Sequence, residues 1–138
     1  MSSPSSAYET FTISTEYGYN RPVLEFGLRR CQELGGFSST RACFIGGMVG
    51  TSNVAAAQHY DIPVSGTMAH SFIMSYEDET DAYKAYLRAS KGNTTLLVDT
   101  YETRQGVKNA IKASQETNIP LQGIRIDSGD LAYWSKEA

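Results

Sequence analysis

The sequence predicts an α/β fold, a partial β/α barrel, on three observations. Short apolar, β-branched runs alternate five times with segments of helical spacing, and each run empties into a polar turn before its helix. Alternation of this kind implies parallel strands joined by helical crossovers. The fingerprints of a nucleotide-binding sheet are missing: Gly46-Gly47-x-x-Gly50 has the wrong spacing for a dinucleotide turn, and no G-x-x-x-x-G-K-[ST] loop occurs. An open doubly wound sheet also fits the alternation, but polar groups collect at the C-terminal end of every strand. They are Arg29, Ser52, Thr67 with His70, Asp99, and Arg125 with Asp127. A barrel assembles its active face in this way, from several strands at once. A complete barrel has eight units in ~250 residues, so the sequence reads as a piece of one.

Residues 1–21 read as a separate N-terminal segment and residues 22–138 as the barrel portion. Met1–Ser6 is a Ser/Pro tract expected to be disordered, Phe11–Ile13 a short strand, and Tyr17–Asn20 a turn. Val23–Phe26 is the first strand of the pattern and ends at Gly27, before Leu28-Arg29-Arg30. Gly35-Gly36 reads as a turn and Ser38–Phe44 as a helix start, with Ser38 or Ser39 as its cap. Gly47–Gly50 is a brief strand, and Val54–Tyr60 a short helix.

The next run, Pro63–Gly66, opens into Thr67, His70 and Ser71, two hydroxyls and an imidazole within five residues. Imidazole is the group best able to accept or relay charge near neutral pH, and the chain has only two histidines, His59 and His70. Glu77–Ser90 is helical, with an acidic start that suits the helix dipole. Thr94–Val98 is a buried type of strand ending in Asp99. Val107, Ala110 and Ile111 mark the apolar face of the helix that follows. Leu121–Ile126 is the last strand. It ends in Asp127-Ser128-Gly129-Asp130, with Ser128 expected to cap a helix over Leu131–Ala138.

The chain is 41% apolar and 20% charged, with a formal net charge of −3. That balance suits one globular domain and argues against a general nucleic-acid binder, which needs a basic face. No apolar run approaches the ~20 residues of a membrane span. The Ser-rich start lacks the basic and apolar regions of a secretory signal. Cys31 and Cys43 form no C-x-x-C pair, so free, buried thiols in a reducing, cytoplasmic setting are expected.

Taken together, five ordered stretches resemble the nicotinate phosphoribosyltransferase family. They are Glu25-Phe26-Gly27-Leu28-Arg29-Arg30, Gly50–Val54, Gly66–Ser71, Leu97–Tyr101 and Gly123–Leu131. The resemblance implies an irregular barrel of the type II phosphoribosyltransferase kind. It also implies ATP-coupled transfer of phosphoribosyl from its pyrophosphate to nicotinate, giving nicotinate mononucleotide in NAD biosynthesis. ATP and Mg2+ are the implied cofactors, a homodimer the implied assembly, and no metal site on the protein is expected. By the same resemblance His70 is the phosphorylated histidine, and Thr67 and Arg125 bind nicotinate, Arg125 at the ring carboxylate. Phe26 packs on the pyridine ring. Arg29, Asp99 and Asp127 surround the phosphoribosyl group, with Asp127 in a catalytic place and Ser71 among the substrate contacts. A carboxylate favours a planar, permanently charged donor, which suits Arg. The family's pocket tyrosine, supplied by a partner subunit, and its later Gly-rich loop for the ribose 5′-phosphate have no match between Met1 and Ala138.

Structural explanations compete for several of these residues. Phe26 reads equally as a core residue, Arg30 as a solvated charge, and Tyr83, Tyr86 and Tyr101 as packing. His59 reads as a helix residue near a C-terminus. Two other functions fit the chain: an inactive or interaction-only product of the same family, and a relative acting on nicotinamide or quinolinate. Thr67-Met68-Ala69-His70 speaks against the quinolinate enzymes, which lack this histidine.

Overall fold

The computed structural model describes residues 21–90 and 92–138. The tract, strand and turn expected before Arg21 lie outside the described residues. The chain divides into two compact units, one ending at Gly66 and the other running Thr67–Ala138.

In the first unit β1 (Leu24–Glu25) pairs in parallel with β2 (Gly50–Thr51), Leu24 opposite Gly50 and Glu25 opposite Thr51. Val64 adds a parallel bridge to Thr51. Between the strands runs α1 (Glu33–Ile45), and α2 (Val54–Tyr60) follows β2. α2 starts on a cap that its sequence can supply: Asn53 Oδ1 accepts the Ala56 amide at 3.1 Å.

α1 departs from expectation. It begins at Glu33, not Ser38, and runs through the Gly35-Gly36 pair that reads as a turn. Packing explains the difference. Gly36 is buried, and a Cβ there would lie 3.4 Å from both the Asn53 amide nitrogen and a Leu28 methyl. That is ordinary van der Waals distance, so the helix carries glycine's cost of about 1 kcal/mol, offset by burial of its Thr40 and Ala42. The cysteines are free as expected but not buried. Cys31 is exposed and Cys43 half-buried, because Cys31 follows a surface turn of 3-10 helix, Leu28–Arg30.

The second unit contains α3 (His70–Met74), α4 (Glu79–Ala89), β3 (Thr95–Leu97), α5 (Thr103–Thr117), β4 (Gly123–Arg125) and α6 (Leu131–Glu137). β3 and β4 are parallel, with Thr95, Leu96 and Leu97 opposite Gly123, Ile124 and Arg125. Leu96, Leu97 and Val98 are wholly buried in a core with Ile73, Ala82, Tyr83, Leu87, Ala110 and Ala113. Tyr83 carries a polar atom into that core. Its hydroxyl lies 2.9 Å from both the Leu97 carbonyl and Glu79 Oε1, which share its single proton, and burial pushes the phenol well above its ordinary pKa.

α5 lies against the end of β3 at Gly106, where an added Cβ would meet the Val98 carbonyl oxygen at 2.0 Å. Its buried face is Thr103, Gly106, Ala110 and Ala113. Ile111, expected on that face, is 47% exposed, because the helix turns Thr103, Gly106, Ala110 and Ala113 inward instead. Tyr101, expected to pack, is also exposed. α6 is capped by Asp130, which accepts the Tyr133 amide at 3.0 Å, and not by Ser128.

Parallel α/β architecture is thus as expected. Its ladders form two two-stranded sheets, not one continuous set of five. Among the described residues no helix is long and apolar enough to cross a membrane.

Candidate functional site

In the second unit the ends of β3 and β4 and the segment before α3 converge. The Leu97 amide donates to the Met68 sulfur at 3.3 Å, and Met68 is buried in the core. Together with the His70–Asp99 and Thr67–Arg125 bonds, that contact brings Thr67 and His70 to the C-terminal ends of β3 and β4. Past Leu97 the Val98 amide still reaches the Arg125 carbonyl at 3.1 Å, so the ladder keeps Asp99 close to the segment after Arg125.

Asp99 is the hub. Its side chain is only 2% exposed, and protein donors occupy both of its oxygens. Oδ1 meets His70 Nε2 at 3.3 Å. Oδ2 accepts the Asp127 amide at 2.8 Å and the Ser128 hydroxyl at 2.6 Å. Burial alone would raise the carboxyl's pKa. The Ser128 hydroxyl, the Asp127 amide and the His70 ring together outweigh it and hold the group below its usual range. An ionised Asp99 can only accept, so the shared proton sits on Nε2 of His70. A neutral ring then keeps its lone pair on Nδ1. The His70 side chain is one-third exposed, so the ring is not sealed in the core.

Beside this hub Arg125 is held at two points. Nη1 donates to Thr67 Oγ1 at 3.0 Å and Nη2 to Asp127 Oδ1 at 2.6 Å. The Arg125 side chain is 23% exposed, and its planar cation is fixed in orientation by these bonds. With five N–H donors in a rigid plane, Arg can hold several partners at once.

The structure therefore brings together Thr67, His70, Asp99, Arg125 and Asp127. It places the exposed Ser71 next to His70 on α3. Phe26 and Arg29 belong to the first unit, where both are exposed just after β1. The core reading of Phe26 does not hold, since Glu25 is the residue that turns inward. Ser128 is the member that sequence reasoning missed. Its place two residues before a cap-competent Asp130 disguised it, and the signal that could find it is the short hydroxyl donor next to Asp127 at a strand end. Among the described residues no group of three His, Cys, Asp or Glu side chains could hold a metal ion.

Comparison with known proteins fits this arrangement. Residues 22–138 match the nicotinate phosphoribosyltransferase (NAPRTase) family. The nicotinate phosphoribosyltransferase of Bacillus subtilis is 49% identical over 120 residues, covering 84% of this chain and 24% of that protein. That of Caenorhabditis elegans is 34% identical over 172 residues, covering 87% and 31%. Among solved structures, human nicotinic acid phosphoribosyltransferase aligns with a TM-score of 0.76 at 25% identity, over 96% of this chain and 37% of that one. Nicotinate-nucleotide pyrophosphorylase from Pyrococcus furiosus aligns with a TM-score of 0.78 at 28% identity, over 90% and 32%. The chain spans about a quarter of the length of its bacterial relative. By the family match along nearly all of its length, this chain belongs to the nicotinate phosphoribosyltransferase family.

Proposed function

We propose that this chain contributes the nicotinate and phosphate-relay half of an enzyme that joins nicotinate to phosphoribosyl pyrophosphate. The products are nicotinate mononucleotide and pyrophosphate, in NAD biosynthesis, on a type II phosphoribosyltransferase barrel. The observation that carries the reading is Arg125, pinned by Thr67 and Asp127 and partly exposed. A fixed fork of this kind suits a small planar carboxylate such as that of nicotinate. Family membership supports it, since relatives matching this chain bear the name of that activity.

In this reading Thr67 and Arg125 orient nicotinate, and Phe26 stacks on its ring. Arg29 and Asp127, with Ser71, face the phosphoribosyl group. Departure of pyrophosphate leaves positive charge on the ribose and negative charge on the leaving group, so a fixed carboxylate and a fixed cation are needed on opposite sides. Asp99, with both oxygens committed to protein donors, acts as a positioning residue. It sets the His70 tautomer and leaves Nδ1 as the nitrogen that attacks the γ-phosphorus of ATP. The N–P bond forms as the P–O bond to ADP breaks. ATP would supply the driving force. Mg2+ takes one or two carboxylates and otherwise rides on substrate phosphates, a modest demand that Asp127, one-third exposed, fits. The same reading puts the enzyme in the cytoplasm as a homodimer.

Arg125→Ala tests it in a full-length enzyme carrying this segment. Loss of a charge-assisted fork should cost about 2–4 kcal/mol in nicotinate binding. The nicotinate KM is expected to rise far more than that of the phosphoribosyl substrate. Equal effects on both would overturn the assignment. A folded wild-type enzyme inactive with nicotinate would favour an interaction-only product, and a preference for nicotinamide would favour that relative.

A further inference from the structure

The first unit holds a carboxylate that the proposed chemistry does not use. Glu25 is 6% exposed, while its neighbours Leu24 and Phe26 are 38% and 39% exposed. β1 thus turns its charged residue inward and its apolar ones outward, the reverse of what burial alone favours. Such an inversion needs compensating donors, and three converge on it. Oε1 accepts the amide of Gly27, and Oε2 accepts the hydroxyls of Thr40 on α1 at 3.1 Å and Thr51 on β2 at 2.5 Å. Among the described residues no ion pair involves Glu25. An ionised carboxylate is acceptor-only on two oxygens, so one side chain can satisfy all three donors.

The Gly27 contact shapes the chain as well as satisfying the charge. It closes a loop of two residues around Phe26, and a Cβ on Gly27 would sit 2.9 Å from Oε1. The Gly27 carbonyl in turn accepts the Arg30 amide at 2.8 Å and the Cys31 thiol at 3.3 Å. The Glu25 carbonyl is held separately by the Ser52 amide at 2.9 Å, so the side-chain clasp adds the restraint on the Gly27 peptide that lies between Phe26 and Arg29.

We infer that Glu25 is a positioning residue. By clasping the Gly27 amide it sets the directions in which Phe26 and Arg29 leave β1 for the substrates. The inference rests on the substrate roles proposed above for those two residues. Thr40 and Thr51 anchor the other oxygen and so hold the clasp to α1 and β2. An apolar residue at this position would fill the space but leave the Gly27 amide without its acceptor.

The test compares Glu25→Gln, Gly27→Ala and Thr40→Val with Phe26→Ala and Arg29→Ala in a full-length enzyme carrying this segment. Steady-state kinetics are read at a temperature where circular dichroism shows each variant folded. Gly27→Ala is expected to raise the KM of nicotinate or of phosphoribosyl pyrophosphate about five-fold or more, with kcat within about two-fold, and Glu25→Gln, whose amide oxygen still accepts from Gly27, to raise it less. Thr40→Val removes an Oε2 donor and spares the clasp, so it should lower Tm and leave both KM values alone. If Glu25→Gln does not fold, Gly27→Ala decides, since it keeps the carboxylate and displaces it. Unchanged KM values in folded Gly27→Ala, with raised ones in Phe26→Ala and Arg29→Ala, overturn the role of Glu25 alone. A rise in Thr40→Val equal to that in Gly27→Ala overturns it too, as a general packing effect. Unchanged KM values in Phe26→Ala and Arg29→Ala overturn the substrate reading beneath it.

Discussion

Asp99 serves three donors with two oxygens, and the arrangement has measurable consequences. Toward His70, an ionised carboxylate places the proton on Nε2, and the phosphorylation proposed above would then fall on Nδ1. A full-length enzyme incubated with ATP should carry acid-labile phosphate on that nitrogen, as read by 15N and 31P spectra, and His70→Ala should carry none. Phosphate found on Nε2 would contradict the geometry. Toward solvent pH, the sign follows from the lowered pKa. A carboxyl ionising more readily when folded than when unfolded stabilises the fold fully above its unfolded value of about 3.9. That contribution is lost as pH falls through the lower folded value, where protons bind both states alike. Asp99→Asn should therefore flatten the acid limb of a urea-stability profile below about pH 4. An unaltered limb would show that the carboxylate is not held as described. Asp99, His70 and Arg125 were all visible in the sequence as polar residues at strand ends. Their mutual bonding was not, because the partners are 29 residues apart for Asp99 and His70 and 58 for Arg125 and Thr67.

Among the elements, α5 is the most constrained. Gly106 costs helix propensity at about 1 kcal/mol relative to Ala, yet a methyl there would penetrate the Val98 carbonyl. Backbone on both sides leaves nothing to rotate away. Gly106→Ala should destabilise by more than about 2 kcal/mol despite the better propensity, as measured by urea midpoint. Asp130→Ala removes the cap of α6 and should cost only about 1 kcal/mol. These two helices also show where sequence reading holds and where it slips. Their positions follow from apolar spacing and cap residues, which act locally. The Ile111 face and the Ser128 cap do not hold because close packing against α4, and the Asp99 carboxylate that takes the Ser128 hydroxyl, act from outside the helix. α3 escaped notice for a related reason. It has five residues and no side-chain cap bond, so packing of Ile73 and not propensity holds it.

Across the whole chain the two units are stabilised by different materials. The second buries Tyr83, Ile73, Leu87, Leu96, Leu97 and Val98 completely, whereas the buried residues of the first are largely Ala42, Ala56, Ala57 and the polar Glu25, Thr40, Thr51 and Asn53. Large apolar side chains give the greater burial free energy. Amides of β3, α4 and α5 should therefore exchange with deuterium more slowly than those of β1, β2 and α2. Equal protection would mean that the polar clasp is worth as much as the apolar core. Among the described residues most of the alternation was legible, since it depends on local runs, but the Pro63–Gly66 run forms only the single bridge at Val64. The grouping of strands into two sheets was not legible, since pairing partners carry no mark in the sequence. One pairing has a further meaning. Arg125 sits opposite Leu97, between Ile124 and Ile126, which pack on the core. Side chains alternate between faces with a period of two, so a slip of one residue would turn both isoleucines outward and the arginine inward. The β4 ladder behaves like a reading frame: no partial error is available to it, and ligand selectivity is either spelled correctly or not spelled at all.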